Sequence, residues 1–188
     1  MSFQKEKNEF LCKKDKSKKG SIDIKIKNLV DKINSFDDFF TTSSCSGRIL
    51  LIAQHKSGRK DKAEWLFSSH NKINFKKIKS KKSLEKLPKK DVWFKMEPAI
   101  VHIACKNFEN ASKLLNLARN IGFRRSGIIS IGKNRLILEL ISTEKLDAII
   151  GKNGKLLVNE SYFKILIRES NKKLEKTWEK INRLHKSL

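Results

Sequence analysis

The chain has 188 residues, 38% hydrophobic and 34% charged, which is too apolar for wholesale disorder and too charged for a membrane protein. Its formal charge of +23 attracts polyanions by releasing their condensed counterions, which points to nucleic acid, although a lysine surplus also arises from genome composition or hot-habitat surface charge. No apolar run approaches the roughly 20 residues that span a bilayer, and residues 1–19 hold no signal-peptide core.

Residues 13–19 form a basic stretch that ends in Gly20, a natural break. Beyond it Ile22, Ile26, Leu29, Val30 and Ile33 recur at helical spacing, with Ser21 placed to cap the first turn and Asp23 to favour its positive end. The small polar residues Thr41, Thr42, Ser43, Ser44, Cys45 and Ser46 then form a loop into the apolar run Ile49-Leu50-Leu51-Ile52, a strand buried on both faces. Ser57-Gly58 reads as a turn and residues 63–69 as a second strand returning beside the first. Residues 76–90, lysine-dense around Ile78, Leu84 and Leu87, form a surface helix or a loop.

The second half opens with a strand over residues 92–95, then Pro98, then a central strand over residues 99–105. Asn107 caps a helix whose stripe is Phe108, Ala111, Leu114, Leu115 and Ala118, and Gly122 takes its C-cap position. That helix is long enough to bring a strand over residues 123–131 parallel to the previous one in a right-handed βαβ unit. Gly132-Lys133-Asn134 turns the chain into residues 135–141, where Leu136, Leu138 and Leu140 face a core opposite Arg135, Ile137 and Glu139. A helix from Tyr162, with Leu174, Trp178, Ile181 and His185 on one stripe, closes the chain. The fold class is α/β: a mixed β-sheet flanked by helices, with residues 1–188 as a single domain or two small halves sharing a core.

Three cysteines, Cys12, Cys45 and Cys105, lie far apart with no C-x-x-C pair for zinc or redox chemistry, which fits a reducing cytosol and no metal. None of the eight glycines forms a G-x-G pair, so the dinucleotide fingerprint of a Rossmann site is missing. Gly127 to Lys133 has P-loop spacing, but Asn134 stands where the metal-binding hydroxyl belongs.

The most unusual stretch is Asp37-Asp38-Phe39-Phe40-Thr41-Thr42-Ser43-Ser44-Cys45-Ser46-Gly47-Arg48. Its hydroxyls and backbone N–H groups offer donors for a phosphate or carboxylate, and Arg48 adds a planar, always-charged fork. The plainer reading is a polar loop in which Arg48 neutralises Asp37 or Asp38. Cys45 is a possible nucleophile, but no base stands beside it. His102 reads as a hydrogen-bonded core histidine or a proton carrier, and Cys105 as a small buried hydrophobe. His70 and Glu97-Pro98 sit at strand ends, where α/β proteins gather their sites. Phe123-Arg124-Arg125-Ser126-Gly127 either stacks on and contacts RNA or forms a charged edge strand.

Taken with Trp65, His70, Lys95, Glu97-Pro98, His102, Cys105, Gly122-Phe123-Arg124, Ser126-Gly127-Ile128, Gly132-Lys133, Ser142-Thr143 and Gly154-Lys155-Leu156, the stretch from Phe39 to Leu51 resembles the wybutosine-synthesising tRNA methyltransferase family, the third enzyme class of the wyosine pathway of archaea and eukaryotes. Lys19-Gly20-Ser21 extends the match, and Ala148-Ile149-Ile150 departs from it by lacking a proline. The resemblance implies a non-Rossmann methyltransferase using S-adenosyl-L-methionine. Its implied acceptor is the N4 ring nitrogen of a demethylwyosine derivative beside the anticodon of phenylalanine tRNA. The expected catalytic set is Asp37, Ser43, Ser44, Cys45, Arg48, Glu97 and His102. Ser46, Gly47, His70, Ser126 and Gly127 are expected at the donor, and Lys95, Arg124, Arg125 and Lys133 at the RNA. A non-catalytic basic RNA-binding protein is the alternative.

Overall fold

A computed structural model describes residues 2–12, 21–54, 63–80, 84 and 86–188. In chain order its elements are α1 (Phe3–Leu11), α2 (Ile24–Ser35), β1 (Phe39–Cys45), β2 (Arg48–Gln54), β3 (Glu64–Ser69), α3 (Phe75–Lys79), β4 (Asp91–Glu97), β5 (Ile100–Cys105), α4 (Phe108–Ile121), β6 (Gly127–Ile131), β7 (Leu136–Ile141), β8 (Leu146–Lys152), β9 (Lys155–Leu156) and α5 (Glu160–Ser187). They form an α/β fold with two sheets, ordered β1-β5-β7-β6 and β3-β2-β4-β8-β9, in which every pairing is antiparallel. Among the described residues there is no Rossmann-type parallel sheet, in agreement with the missing glycine fingerprint. The chain divides into two compact units: residues 1–46, 98–143 and 177–188 make the first, and residues 47–97 and 144–176 the second.

In the first unit, Val101, Ile103 and Cys105 of β5 and Leu138 and Leu140 of β7 point to one face and are fully buried. Ile26, Leu29, Val30 and Ile33 of α2, Ala111, Leu114, Ala118 and Ile121 of α4, and Ile181 and Leu184 of α5 cover that face. Each large aliphatic side chain so buried stabilises the unit by about 1.5–3 kcal/mol. Asn107 accepts from the Asn110 N–H at 2.9 Å, and Gly122, at φ 122°, closes the last turn of α4, both as the spacing predicts. The crossover through α4 does make β5 and β6 run the same way, but β7 is inserted between them, so the expected adjacent parallel pair is instead a split unit. The alternation of Leu136, Leu138 and Leu140 toward the core holds.

Two local expectations need correcting. The hydroxyl-rich stretch is edge strand β1 rather than a loop; its β-branched threonines and two phenylalanines favour extended backbone, and β5 completes its ladder. The N-cap of α2 is Asp23 rather than Ser21, and Ile22 stays exposed outside the stripe.

Three elements had no counterpart in the sequence reading. Helix α1, capped by Ser2, places Phe3 and Phe10 on Phe40 at ring distances of 5.4 and 5.5 Å. Strand β8 pairs with β4 through Trp93↔Ile149 and Phe94↔Ala148. Strand β9 follows through Asn153-Gly154, whose φ values of 50° and 78° suit a tight hairpin turn that glycine and asparagine tolerate. The expected turn at Ser57-Gly58 and the stretch of residues 13–20 lie outside the described residues.

In the second unit β2 is buried on both sides, as its apolar run predicts, and β3 returns beside it. Val92, Phe94 and Met96 of β4 are buried, while Asp91, Trp93, Lys95 and Glu97 alternate with them on the other face. Phe94 stacks edge-on against Phe163 of α5 at 5.5 Å, and Phe163 against Phe75 at 5.7 Å. Helices α3 and α5 therefore lie on the Phe94 face.

Cys105, read as a small buried hydrophobe, is one. Burial pushes its thiol up to about 12, so near pH 8 it stays protonated and unreactive. A thiol-alkylating reagent should label exposed Cys12 in the native protein and spare Cys105 until the chain is unfolded. Equal labelling rates, followed by peptide mass mapping, would contradict this burial.

Candidate active site

Strand β1 places its hydroxyl run against fixed partners. Asn34 accepts from the Thr41 N–H at 2.7 Å and from the Thr41 hydroxyl at 3.1 Å, and the Thr42 hydroxyl donates to the His102 carbonyl at 3.3 Å. Ser46, fully buried, donates its N–H and its hydroxyl to one Asp23 oxygen, each at 3.1 Å. Asp23, at the N-cap position of α2, therefore turns its carboxylate to the end of this stretch rather than to the helix N–H groups. Such charge-assisted bonds contribute about 1.5–3 kcal/mol each.

Ser43 stands in register with His102, and His102 with Glu139, so three polar side chains line up across β1, β5 and β7. Ser43 Oγ lies 2.9 Å from His102 Nδ1, and His102 Nε2 lies 2.8 Å from Glu139 Oε2. A carboxylate only accepts, so Nε2 carries the hydrogen and Nδ1 offers its lone pair to the Ser43 hydroxyl. The imidazole is about 30% exposed and the carboxylate 23%, half-buried rather than sealed in a core. Residues Phe40, Ala104 and Ile137 on this side of the sheet pack with Phe3 and Phe10 of α1. Glu139 was assigned in sequence only to the non-core face of its strand; its role as the partner of His102 follows from the β5–β7 register.

Asp37 is exposed and Asp38 half-exposed in the turn before β1, where Lys106 pairs with Asp38 at 3.1 Å. Lys7 of α1 donates to the Phe36 carbonyl at 2.6 Å beside them. Burial pulls the Lys7 ammonium below the ordinary lysine pKa, against the opposing charges of Asp37 and Asp38. Ser44 and Cys45 complete β1 opposite Val101 and Ile100.

In the second unit Arg48 begins β2 directly opposite Glu97 at the end of β4. Its Nε donates to Glu97 Oε2 at 2.7 Å, with both side chains 29% exposed, so the partner of Arg48 is Glu97, whereas the plainer reading named Asp37 or Asp38. The guanidinium also lies 4.6 Å from the ring of Trp65. On the same side of β4, the Lys95 ammonium sits 5.1 Å from the Trp93 ring and 3.9 Å from Asp147. This face combines two indole rings, a fixed guanidinium, an ammonium and two carboxylates. Gly47, at φ 90°, precedes Arg48, and half-buried His70 follows β3.

The remaining expected residues are spread through the first unit. The Ser126 hydroxyl accepts from the Ile141 N–H at 2.9 Å, and Gly127 opens β6. Arg124, Arg125 and Lys133 are exposed in the turns flanking β6. Phe123 does not join them: it is fully buried in the core of the first unit, because the turn at Gly122 folds it back under α4. The expected stacking of Phe123 on RNA is thereby corrected, and the two arginines remain as exposed charge.

Residues 4–188 match the family model described as Methyltransferase TYW3. Among curated relatives, the tRNA(Phe) 7-((3-amino-3-carboxypropyl)-4-demethylwyosine(37)-N(4))-methyltransferase 1 of Pyrococcus furiosus is 36% identical over 188 residues, covering 100% of this chain and 95% of the relative. The tRNA wybutosine-synthesizing protein 3 homolog of Danio rerio is 39% identical over 190 residues, covering 100% of this chain and 74% of the relative. Among solved structures, the PH1069 protein from Pyrococcus horikoshii superposes with a TM-score of 0.89 at 35% identity, over 99% of this chain and 95% of that one.

Proposed function

The chain belongs to the TYW3 methyltransferase family, and from that premise we propose that it methylates the N4 ring nitrogen of a demethylwyosine derivative beside the anticodon of phenylalanine tRNA, with S-adenosylmethionine as donor. The observation that carries this reading is the likeness to relatives bearing that name over 100% of this chain and 95% of theirs.

The residues present fit such a donor. Its amino-acid end carries one charge of each sign, and Arg48 and Glu97 present one of each, side by side and part-exposed. Its cationic sulfur suits an indole face, which Trp65 supplies next to Arg48. When bound, the donor supplies an electrophilic methyl carbon on a positively charged sulfur. Arg48 would hold the carboxylate, Glu97 the ammonium, and the pair would fix the direction of approach. Alignment of this kind supplies most of the acceleration in an in-line displacement.

The acceptor nitrogen gives up a proton as its bond to the methyl carbon forms and the carbon–sulfur electron pair stays on sulfur. Within the first unit, taken by itself, His102 offers a proton acceptor through Nδ1 and the Ser43 hydroxyl, with Glu139 to offset positive charge on the ring. Lys95, Arg124, Arg125 and Lys133 are assigned to the RNA backbone.

The test is methyl transfer from tritiated S-adenosylmethionine to phenylalanine tRNA lacking this one methyl group. One methyl per tRNA is expected, with mature tRNA inert; no incorporation at millimolar donor would overturn the assignment.

A further inference from the structure

The second unit carries a groove that the proposed chemistry leaves unused. It has a volume of about 830 Å³ and runs between α5 and the segment from Lys72 through α3. Ile73, Phe75 and Ile167 line its apolar part. Its walls are held in place: Asn171 accepts from the Ile73 N–H at 3.0 Å and donates to the Ile73 carbonyl at 2.8 Å, and Asn74 caps α3. Phe75 is wedged against Phe163.

The rim is cationic on both sides. Lys72, Lys76 and Lys79 stand on one wall and Lys164, Arg168 and Lys172 on the other, against the two carboxylates Glu160 and Glu175. Lys164 and Lys72 already pair with those carboxylates. The positive field is felt at Glu160, whose carboxyl is held below the usual range by the hydrogen bond from Lys164, with further help from the charges of Lys164 and Lys79. Lys164, Arg168 and Lys172 repeat every four residues on α5, so their cations recur about every 6 Å along one ridge. A solvated lysine face would be convex. This one is concave, and its six cations outnumber the two carboxylates that line it.

The groove is also on the far side of its sheet from Arg48 and Trp65. Phe94 points toward Phe163 and α5, whereas Trp93, Lys95 and Glu97 alternate to the opposite face. A ligand reaching both must be large. We infer that this groove binds the sugar-phosphate backbone of the tRNA at a point distant from the modified base. The inference rests on the tRNA reading above and extends it to a second contact surface.

The test uses the full chain with Lys76, Lys79 and Arg168 each replaced by Ala, leaving Lys72 and Lys164, which pair with the groove's own carboxylates, in place; Arg168 pairs only with its neighbour Glu169 among the described residues. A control variant, Lys76→Arg, Lys79→Arg and Arg168→Lys, keeps the charges. Binding is measured by filter retention against intact phenylalanine tRNA and against its isolated anticodon stem-loop, with thermal melting to confirm folding. The alanine variant should bind intact tRNA at least tenfold more weakly and the stem-loop as wild type does. Its log-log salt slope should shrink by about 2, from three lost phosphate contacts, while the control matches wild type. Unchanged tRNA binding and slope overturn the inference, and equal losses on both RNAs overturn the distant placement. Failure of the wild-type chain to bind tRNA would instead sink the reading of function itself.

Discussion

Arg48→Ala should lower kcat/KM for methyl transfer roughly a thousandfold, about 4 kcal/mol of transition-state stabilisation. Three interactions meet at this side chain. Its Nε bonds Glu97 at 2.7 Å, its plane lies against Trp65, and its fork has donors left for an anionic group. Removal leaves Glu97 part-buried without its partner, which costs stability as well, about 1–3 kcal/mol. Stability and catalysis separate in the companion variants. Arg48→Lys keeps the charge but cannot serve the carboxylate and the ring together, so it should fold normally and still lose about tenfold or more. Glu97→Gln removes the charge offered to the donor ammonium while keeping the shape, and should weaken donor binding in calorimetry more than it slows turnover at saturating donor. An Arg48→Ala protein with wild-type rates would remove the second-unit site from the reaction.

Much of the scaffold around Arg48 was legible because its determinants are local. The run Ile49-Leu50-Leu51-Ile52 specifies a strand buried on both faces whichever partners it finds, and Asn107 and Gly122 mark α4 by caps that need no tertiary contact. Pairing was not legible. Period-2 alternation in β5 and β7 says which side chains share a face but not that β7 inserts between β5 and β6, nor that one sheet becomes two. Strand β8, with only Ile150 and Gly151 fully buried, carries too little alternation to announce itself. The hydroxyl run misled because serine and threonine signal loops when seen alone. Thr41, Thr42 and Ser43 in β1 and Ser46 just beyond it are instead satisfied by Asn34, His102 and Asp23, partners the run itself does not contain. Helix α1 did leave a trace, Phe3, Lys7 and Phe10 at helical spacing behind Ser2, hidden in a charged background. The site shows the same division. Arg48, Glu97, Ser43 and His102 stood out by residue type, whereas Glu139, an ordinary surface acid in the sequence, gained its place only from register.

That register gives the second large effect. His102→Asn should reduce kcat about 10²–10⁴-fold, the usual worth of a positioned proton acceptor, with little change in KM for tRNA. Asparagine can take over the Nδ1 contact to Ser43 but is too short to replace Nε2 at Glu139, and it has no basic nitrogen. Because the row is half-exposed, the lost hydrogen bonds amount to only about 1 kcal/mol of stability each, and the melting temperature should barely move. The diagnostic is single-turnover methyl transfer at saturating donor and tRNA, where the asparagine variant should show its loss in the chemical step rather than in binding. Glu139→Gln tests the positioning role: the amide can still hold Nε2 but offers no negative charge to the developing imidazolium. Its loss should be smaller than that of His102→Asn. Ser43→Ala should fall between the two if the hydroxyl relays the proton, and should match wild type if His102 meets the acceptor directly. A His102→Asn enzyme with the wild-type rate would leave the Ser43, His102 and Glu139 row a structural cross-strand ladder and return the proton to solvent.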